Sequence, residues 1–369
     1  MKIYLKLGTL LFTYGLLSPV AFAANPIEKT TSCDIAELAD MKGKVTLSPQ
    51  CVYQGGVVIS SSNVTLDCQG ATFDGGGKVK YGVLIDGRGM PISNITVENC
   101  NFLNYADTAV VVRGLKKSQV SADQQENYTR SPSNVVIRNV VTDRNRRSGV
   151  YFDDYVFNSS LQNSTVKGSG GVGVYLDQGT KGITLQNNVI ESNGRAEGRK
   201  STREGVAIDS SAKNIIKDNT FRDNGAGGIF LYKNCGERYN SKNGILRWQS
   251  SNDNLIENNT FVDEKVGVWL ASRQSKDLSK WGCGDQSVDV QKKYYRDYAN
   301  YNTVRGNKFC RVNVAVRNEG DNNRVESNAF DAEPKKMIVL PFQNKPKPSG
   351  ELSVGNINDR NIQSGCDVD

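Results

Sequence analysis

The 369-residue chain contains no histidine. The commonest general base near neutral pH is therefore missing, and with it the usual activator of a serine or cysteine nucleophile. No C-x-x-C pair is present either, so the eight cysteines do not read as a structural zinc site. P-loops, dinucleotide-binding fingerprints and nucleic-acid-binding modules are all lacking. Beyond the first two dozen residues no apolar run is long enough to cross a bilayer.

The N-terminus supplies the one apolar run. Lys2 and Lys6 open it, and Ala21-Phe22-Ala23 closes it with an A-x-A pattern. This reads as a cleaved export signal over residues 1–23, giving a periplasmic or secreted protein with no membrane span. Its removal lowers the formal charge from +7 to +5, a mild basic excess that tolerates an acidic partner. An even number of cysteines in an exported chain reads as disulfides.

What the chain has in abundance is repetition. An Asn-x-apolar module recurs as "NIIKDNTF" (Asn214 to Phe221), "NLIENNTF" (Asn254 to Phe261), "NTVRGNKF" (Asn302 to Phe309) and "NRVESNAF" (Asn323 to Phe330). A Gly-apolar-x-apolar module alternates with it, at Gly82–Asp86, Gly149–Asp153, Gly173–Asp177, Gly205–Asp209 and Gly228–Tyr232. Each unit holds short strands of period two, punctuated by Asn and Gly. One unit cannot bury its apolar face alone, but stacked units can. The expected fold is all-β: a single right-handed parallel β-helix over residues 55–340. A short helical cap at 24–54 precedes it, and 341–369, with Pro341, Pro346, Pro348 and little periodicity, reads as a tail packed on the solenoid.

These modules resemble the pectate-lyase-like superfamily of parallel β-helices, in particular NosD-like proteins, alginate epimerases and polysaccharide lyases. The resemblance implies carbohydrate chemistry but not a single reaction, because the fold hosts lyases, epimerases, hydrolases and binding proteins. Stacking the coils pairs Cys33 with Cys51 in the cap, Cys68 with Cys100 in neighbouring coils, and Cys310 with Cys366 in the tail. Cys235 and Cys283 then staple two insertions.

Side chains alternate along a strand, so two columns face outward. One holds Leu84, Val111, Tyr151, Tyr175, Ala207, Phe230, Trp269 and Ala315. The other holds Asp86, Arg113, Asp153, Asp177, Asp209, Tyr232, Ala271 and Arg317. Three stacked acids beside aromatic rings suit a sugar-binding groove, with Tyr151, Tyr175, Phe230, Tyr232, Trp269 and Arg113 as substrate contacts. Long insertions at 116–132, 234–251, 272–299 and 194–204 would wall it, carrying Tyr239, Trp248, Trp281, Tyr294 and Tyr295.

The partner expected is a polysaccharide and the protein a monomer. The favoured reaction is β-elimination of a uronic-acid glycan. Chondroitinase B-type β-helix lyases use a Lys base with an Arg on the next coil, and Lys233 with Arg273 is similar to that pair. Asp153, Asp154, Asp177 and Asp209 carry the acidic chemistry, and Asp153, Asp177 and Asp209 could hold Ca²⁺. The alternatives are hydrolysis by the acid row, with Asp153 and Asp209 about 9–10 Å apart in two-coil stacking, or glycan binding without catalysis.

Overall fold

The computed structural model describes residues 32–198, 200–236, 246–331, 343–344 and 352–366. The expected export signal lies outside them. Three parallel sheets wind around one core, and each coil contributes one strand to each sheet. Successive coils superpose residue on residue. Val83, Val110, Val150, Val174, Val206, Ile229 and Val268 form one inward column, and Ile85, Val112, Phe152, Leu176, Ile208, Leu231 and Leu270 the next. All fourteen are fully buried. Each stabilises the fold by roughly 1.5–3 kcal/mol relative to exposure. A slip of one residue would turn a whole column outward, which is why the register is firm.

Asparagine makes the corners. Asn63, Asn94, Asn134, Asn158, Asn187 and Asn258 take positive φ between 47° and 60°, the left-handed conformation that Asn tolerates better than β-branched residues. A second set points inward and stacks as a ladder. Asn188, Asn219, Asn259, Asn307 and Asn328 each donate to the carboxamide oxygen of the next coil, at 2.8–3.0 Å, and Asn361 ends the row as the last acceptor. A parallel ladder runs Asn193 to Asn224 and ends on Glu264, whose Oε1 accepts from the Asn224 amide at 2.7 Å. Glu264 is 1% exposed, and burial pushes its carboxyl up to about 8.

The four expected disulfides are present: Cys33–Cys51, Cys68–Cys100, Cys235–Cys283 and Cys310–Cys366. Among the described residues no helix is long and apolar enough to cross a membrane.

The solenoid is longer than its expected bounds. At the N-terminal end Ser32–Cys33, Gly43–Thr46 and Val52–Gln54 already pair into the sheets, around a short 3-10 turn at Ile35–Leu38 capped by Asp34. At the other end residues 341–369 are not merely a tail. Gln343–Asn344, Ile357–Asp359 and Ile362–Gln363 add a strand to each sheet. The stretch Asn356-Ile357-Asn358-Asp359-Arg360-Asn361-Ile362 is a further copy of the Asn module, and both of its ladder asparagines are in place. One column is also corrected: Arg317, not Ala315, pairs with Trp269, while Ala315 is buried.

Candidate active site

Three strand ends supply the acids. Phe152, Leu176 and Ile208 are in register, so Asp153, Asp177 and Asp209 follow at the same height on consecutive coils. The N–H of Asp153 donates to Val112 O and that of Asp177 to Phe152 O, at 2.9 Å each, extending the ladder by one residue. Asp154 then leaves the strand direction. Tyr155 after it adopts φ 64°, and the neighbouring coil has Gly114 at the crossing, where a Cβ would stand 1.5 Å from the Asp154 carbonyl oxygen. The acidic oxygens of Asp153, Asp154 and Asp177 lie within 4.8 Å of one another.

The aromatic row stands beside them. Tyr151 and Tyr175 pack at 5.2 Å, and Phe230 and Trp269 at 5.2 Å. Tyr151 and Tyr175 reach one coil forward along the axis, and Tyr232 one coil back. Tyr151 donates to Asp177 Oδ2, Tyr175 to Asp209 Oδ2 at 2.7 Å, and Tyr232 to Glu204 Oε1 at 2.8 Å.

Three stacked carboxylates repel unless a cation intervenes. That cation is Arg247, from the insertion at 234–251. Its Nη1 bridges Asp177 Oδ1 and Asp209 Oδ2, the latter at 3.0 Å. Asn234 adds an amide donor to Asp209 Oδ2 at 2.7 Å. The acids therefore separate by environment. Burial raises the Asp177 carboxyl, but Arg247 and the Tyr151 hydroxyl outweigh it and hold the group below the usual carboxylate range. Asp153 is pushed up to about 7 by burial and then by the Asp177 charge. Asp154 is raised well above its ordinary value by burial and by both neighbours. Asp209 rises to about 6 from burial, opposed by Arg247.

Of the four acids Asp177 lines a cavity of about 250 Å³, whose walls carry Arg147, Arg203, Arg247 and Arg273 together with Tyr151, Tyr175, Tyr232 and Trp281. Arg273 lies flat over the Tyr232 ring, 3.5 Å from its centroid, and donates through Nε to Asn234 Oδ1 at 3.0 Å. Asp297 anchors this wall by accepting the backbone N–H groups of Lys233 and Arg273.

Several expected contacts are elsewhere. Lys233 points away from the acids: its Nζ is 3.0 Å from Asp285 Oδ2 and it lines a different cavity. The expected Lys233–Arg273 pair is split, because Asp285 draws Lys233 to one side while Asn234 and the Tyr232 ring hold Arg273 on the other. Arg113 pairs with Asp86 at 3.4 Å. Phe230 is buried under Trp269, whose ring lies against Arg317, 4.0 Å from centroid to guanidinium. Trp248 packs with Leu115, Tyr128 and Tyr155, and Tyr295 with Cys235 and Leu278. Tyr239 lies outside the described residues. Sequence reasoning missed Arg203, Asn234 and Arg247. The only available hint was an unpaired column of acids in need of a cation.

The sequence profile of the right-handed β-helix region matches residues 50–276. The chain belongs to the right-handed β-helix family. Solved structures similar to this β-helix protein include a mutant tailspike protein of E. coli bacteriophage HK620 in complex with pentasaccharide, at 13% identity and TM-score 0.52, covering 88% of this chain and 54% of that one. The Azotobacter vinelandii mannuronan C-5 epimerase AlgE6 A-module also matches at 13% identity and TM-score 0.52, covering 88% of this chain and 84% of the module. A mutant DFA-IIIase from Arthrobacter chlorophenolicus A6 in complex with DFA-III matches at 15% and TM-score 0.47, covering 80% and 62%. The chain thus spans just over half of the tailspike and under two thirds of the DFA-IIIase. At these identities the shared property is the fold. A search of the curated proteins returns no match.

Proposed function

We propose that this β-helix protein is an exported enzyme that binds an acidic polysaccharide in the cleft and hydrolyses it with the Asp153–Asp154–Asp177 group. One observation carries the reading. An ionised carboxylate, Asp177, sits beside two carboxyls that keep their protons towards neutral pH. Glycoside hydrolysis needs that division of labour: an acid to protonate the leaving oxygen and a carboxylate to meet the sugar cation.

Asp154, turned off the strand, is assigned as the proton donor, with burial and the Asp177 charge holding it protonated. Asp177 is the nucleophile. The short separation of the carboxyl oxygens, within 4.8 Å, falls near the range of retaining rather than inverting enzymes. Asp209, expected as a partner of Asp153, has a structural role instead, because it does not line the cavity as Asp177 does and is held by Arg247, Tyr175 and Asn234. The four arginines of the cavity suit a carboxylate-bearing sugar, and the tyrosines and Trp281 offer ring faces.

The same spacing favours a second reading. Asp153, Asp154 and Asp177 could hold a hard cation such as Ca²⁺ for β-elimination, with Asp154 replacing the expected Asp209. A cation there would screen a substrate carboxylate. Arg273 and Tyr232 line the same cavity as Asp177.

The deciding experiment is incubation with a panel of acidic and neutral polysaccharides, with and without chelator. Hydrolysis predicts new reducing ends, no unsaturated-uronide absorbance and no loss with EDTA. Unsaturated products that vanish with EDTA and return with Ca²⁺ would establish elimination. Binding of a panel glycan without any cleavage would leave a non-catalytic protein.

A further inference from the structure

Lys233 has no place in the acid cleft, yet it is one of the least exposed lysines of the surface, 8% exposed as a residue. Tyr232 and Asn234 on either side of it line the acid cavity. Lys233 faces a separate cavity of about 470 Å³ with Asp285, Arg296 and Tyr298. The two cavities thus share the Tyr232-Lys233-Asn234 turn as a common wall.

The second cavity is firmly built. The Lys233 N–H is held by Asp297, the Tyr298 carbonyl accepts from Ser251 N at 2.9 Å, and Cys235–Cys283 ties the turn to the insertion carrying Asp285. Its lining carries Lys233, Asp285 and Arg296 beside the ring of Tyr298. Lys233 Nζ pairs with Asp285 and stands 5.7 Å from the Tyr298 ring centroid. Tyr298 is 37% exposed, so part of its ring is open to a ligand. A cation beside an accessible aromatic face fits a sugar ring that bears an anion.

We propose that this cavity is a second saccharide subsite, taking a carboxylate- or sulfate-bearing unit of the glycan whose neighbouring units occupy the acid cleft. The proposal rests on the reading of that cleft as an acidic-glycan site. It makes recognition depend on chain length: a short oligosaccharide fills the cleft alone, a longer one fills both.

The test uses the full chain carrying Asp154→Asn, so that glycan is bound and not consumed. Calorimetry measures oligogalacturonate and heparin-derived disaccharides and octasaccharides, the two series separating carboxylate from sulfate. Lys233→Gln and Tyr298→Ala are then added separately. Each is expected to weaken octasaccharide binding about tenfold, the scale of one charge-assisted contact, and to leave the disaccharide unchanged. Tyr298→Ala removes a partly exposed ring and keeps the question open to test should Lys233→Gln fold poorly. Octasaccharide affinity unchanged in both variants, or an equal loss for both lengths, would overturn the subsite and leave the cleft assignment standing. No binding of any anionic saccharide would overturn both.

Discussion

Arg247→Met is the most revealing single substitution. Its guanidinium lies between Asp177 and Asp209, 3.0 Å from the Asp209 oxygen, and its side chain is 15% exposed. Each unit-charge attraction at about 4 Å between charge centres amounts to roughly 4 kcal/mol at an effective dielectric constant of 20. Desolvation of the three groups offsets much of this. Removing one partner of such a buried pair costs about 3–5 kcal/mol, because the carboxylates stay behind uncompensated. In the native chain Asp177 lies below its unfolded value, so its contribution is present above that value and lost only in strong acid. Without Arg247 its carboxyl joins Asp153 and Asp209 on the raised side. Stability would then be highest where all three are protonated and would fall as pH climbs from their ordinary carboxylate range through their raised values. Thermal melts from pH 4 to 8 should therefore show a loss on the order of 5 °C at pH 8, shrinking towards pH 4. The acid limb of glycan cleavage should move upward with the Asp177 carboxyl. An equal loss of melting temperature at both ends of the range would refute the charge argument, as would an unmoved acid limb.

Asp177→Asn and Asp154→Asn should each lower cleavage on the order of 10²–10⁴-fold, measured as reducing ends released. Asp154→Asn should also raise the melting temperature at pH 8, where the native carboxyl is forced towards ionisation against burial and its neighbours. The native pH profile should begin to fall on the alkaline side near pH 7, where Asp153 loses its proton, and ¹H NMR of the first product should show retained anomeric configuration. Glu264→Gln keeps the ladder acceptor and removes a carboxyl raised from 4.5 to about 8. Stability of the native protein is lost as pH rises from 4.5 to 8, so the variant's advantage should grow over that window to on the order of 3 kcal/mol at pH 7 by denaturant titration. An advantage that does not change with pH would refute that assignment.

The solenoid was legible in the residues themselves because its interactions repeat. Alternating apolar side chains, Asn corners and four compatible cysteine pairs each impose a one-coil period, and only stacked coils satisfy them together. The same periodicity placed Asp153, Asp177 and Asp209 on one line and Tyr151 beside Tyr175. It also contained the last coil, in Asn356 to Ile362, which the nearby prolines obscured.

Tertiary structure alone decided the chemistry of the site. Arg247 comes from an insertion without period, so no spacing rule foretells that it closes on Asp177, 70 residues earlier in the chain, and on Asp209. The direction of Lys233 depends on how the strand exits at Tyr232 and on what Asp285 offers from another loop. The difference between Asp177 and Asp153 is a matter of which carboxyl meets Arg247. Repeats encode backbone register through local, recurring contacts, whereas the charge state of a carboxyl depends on single long-range neighbours that occur once.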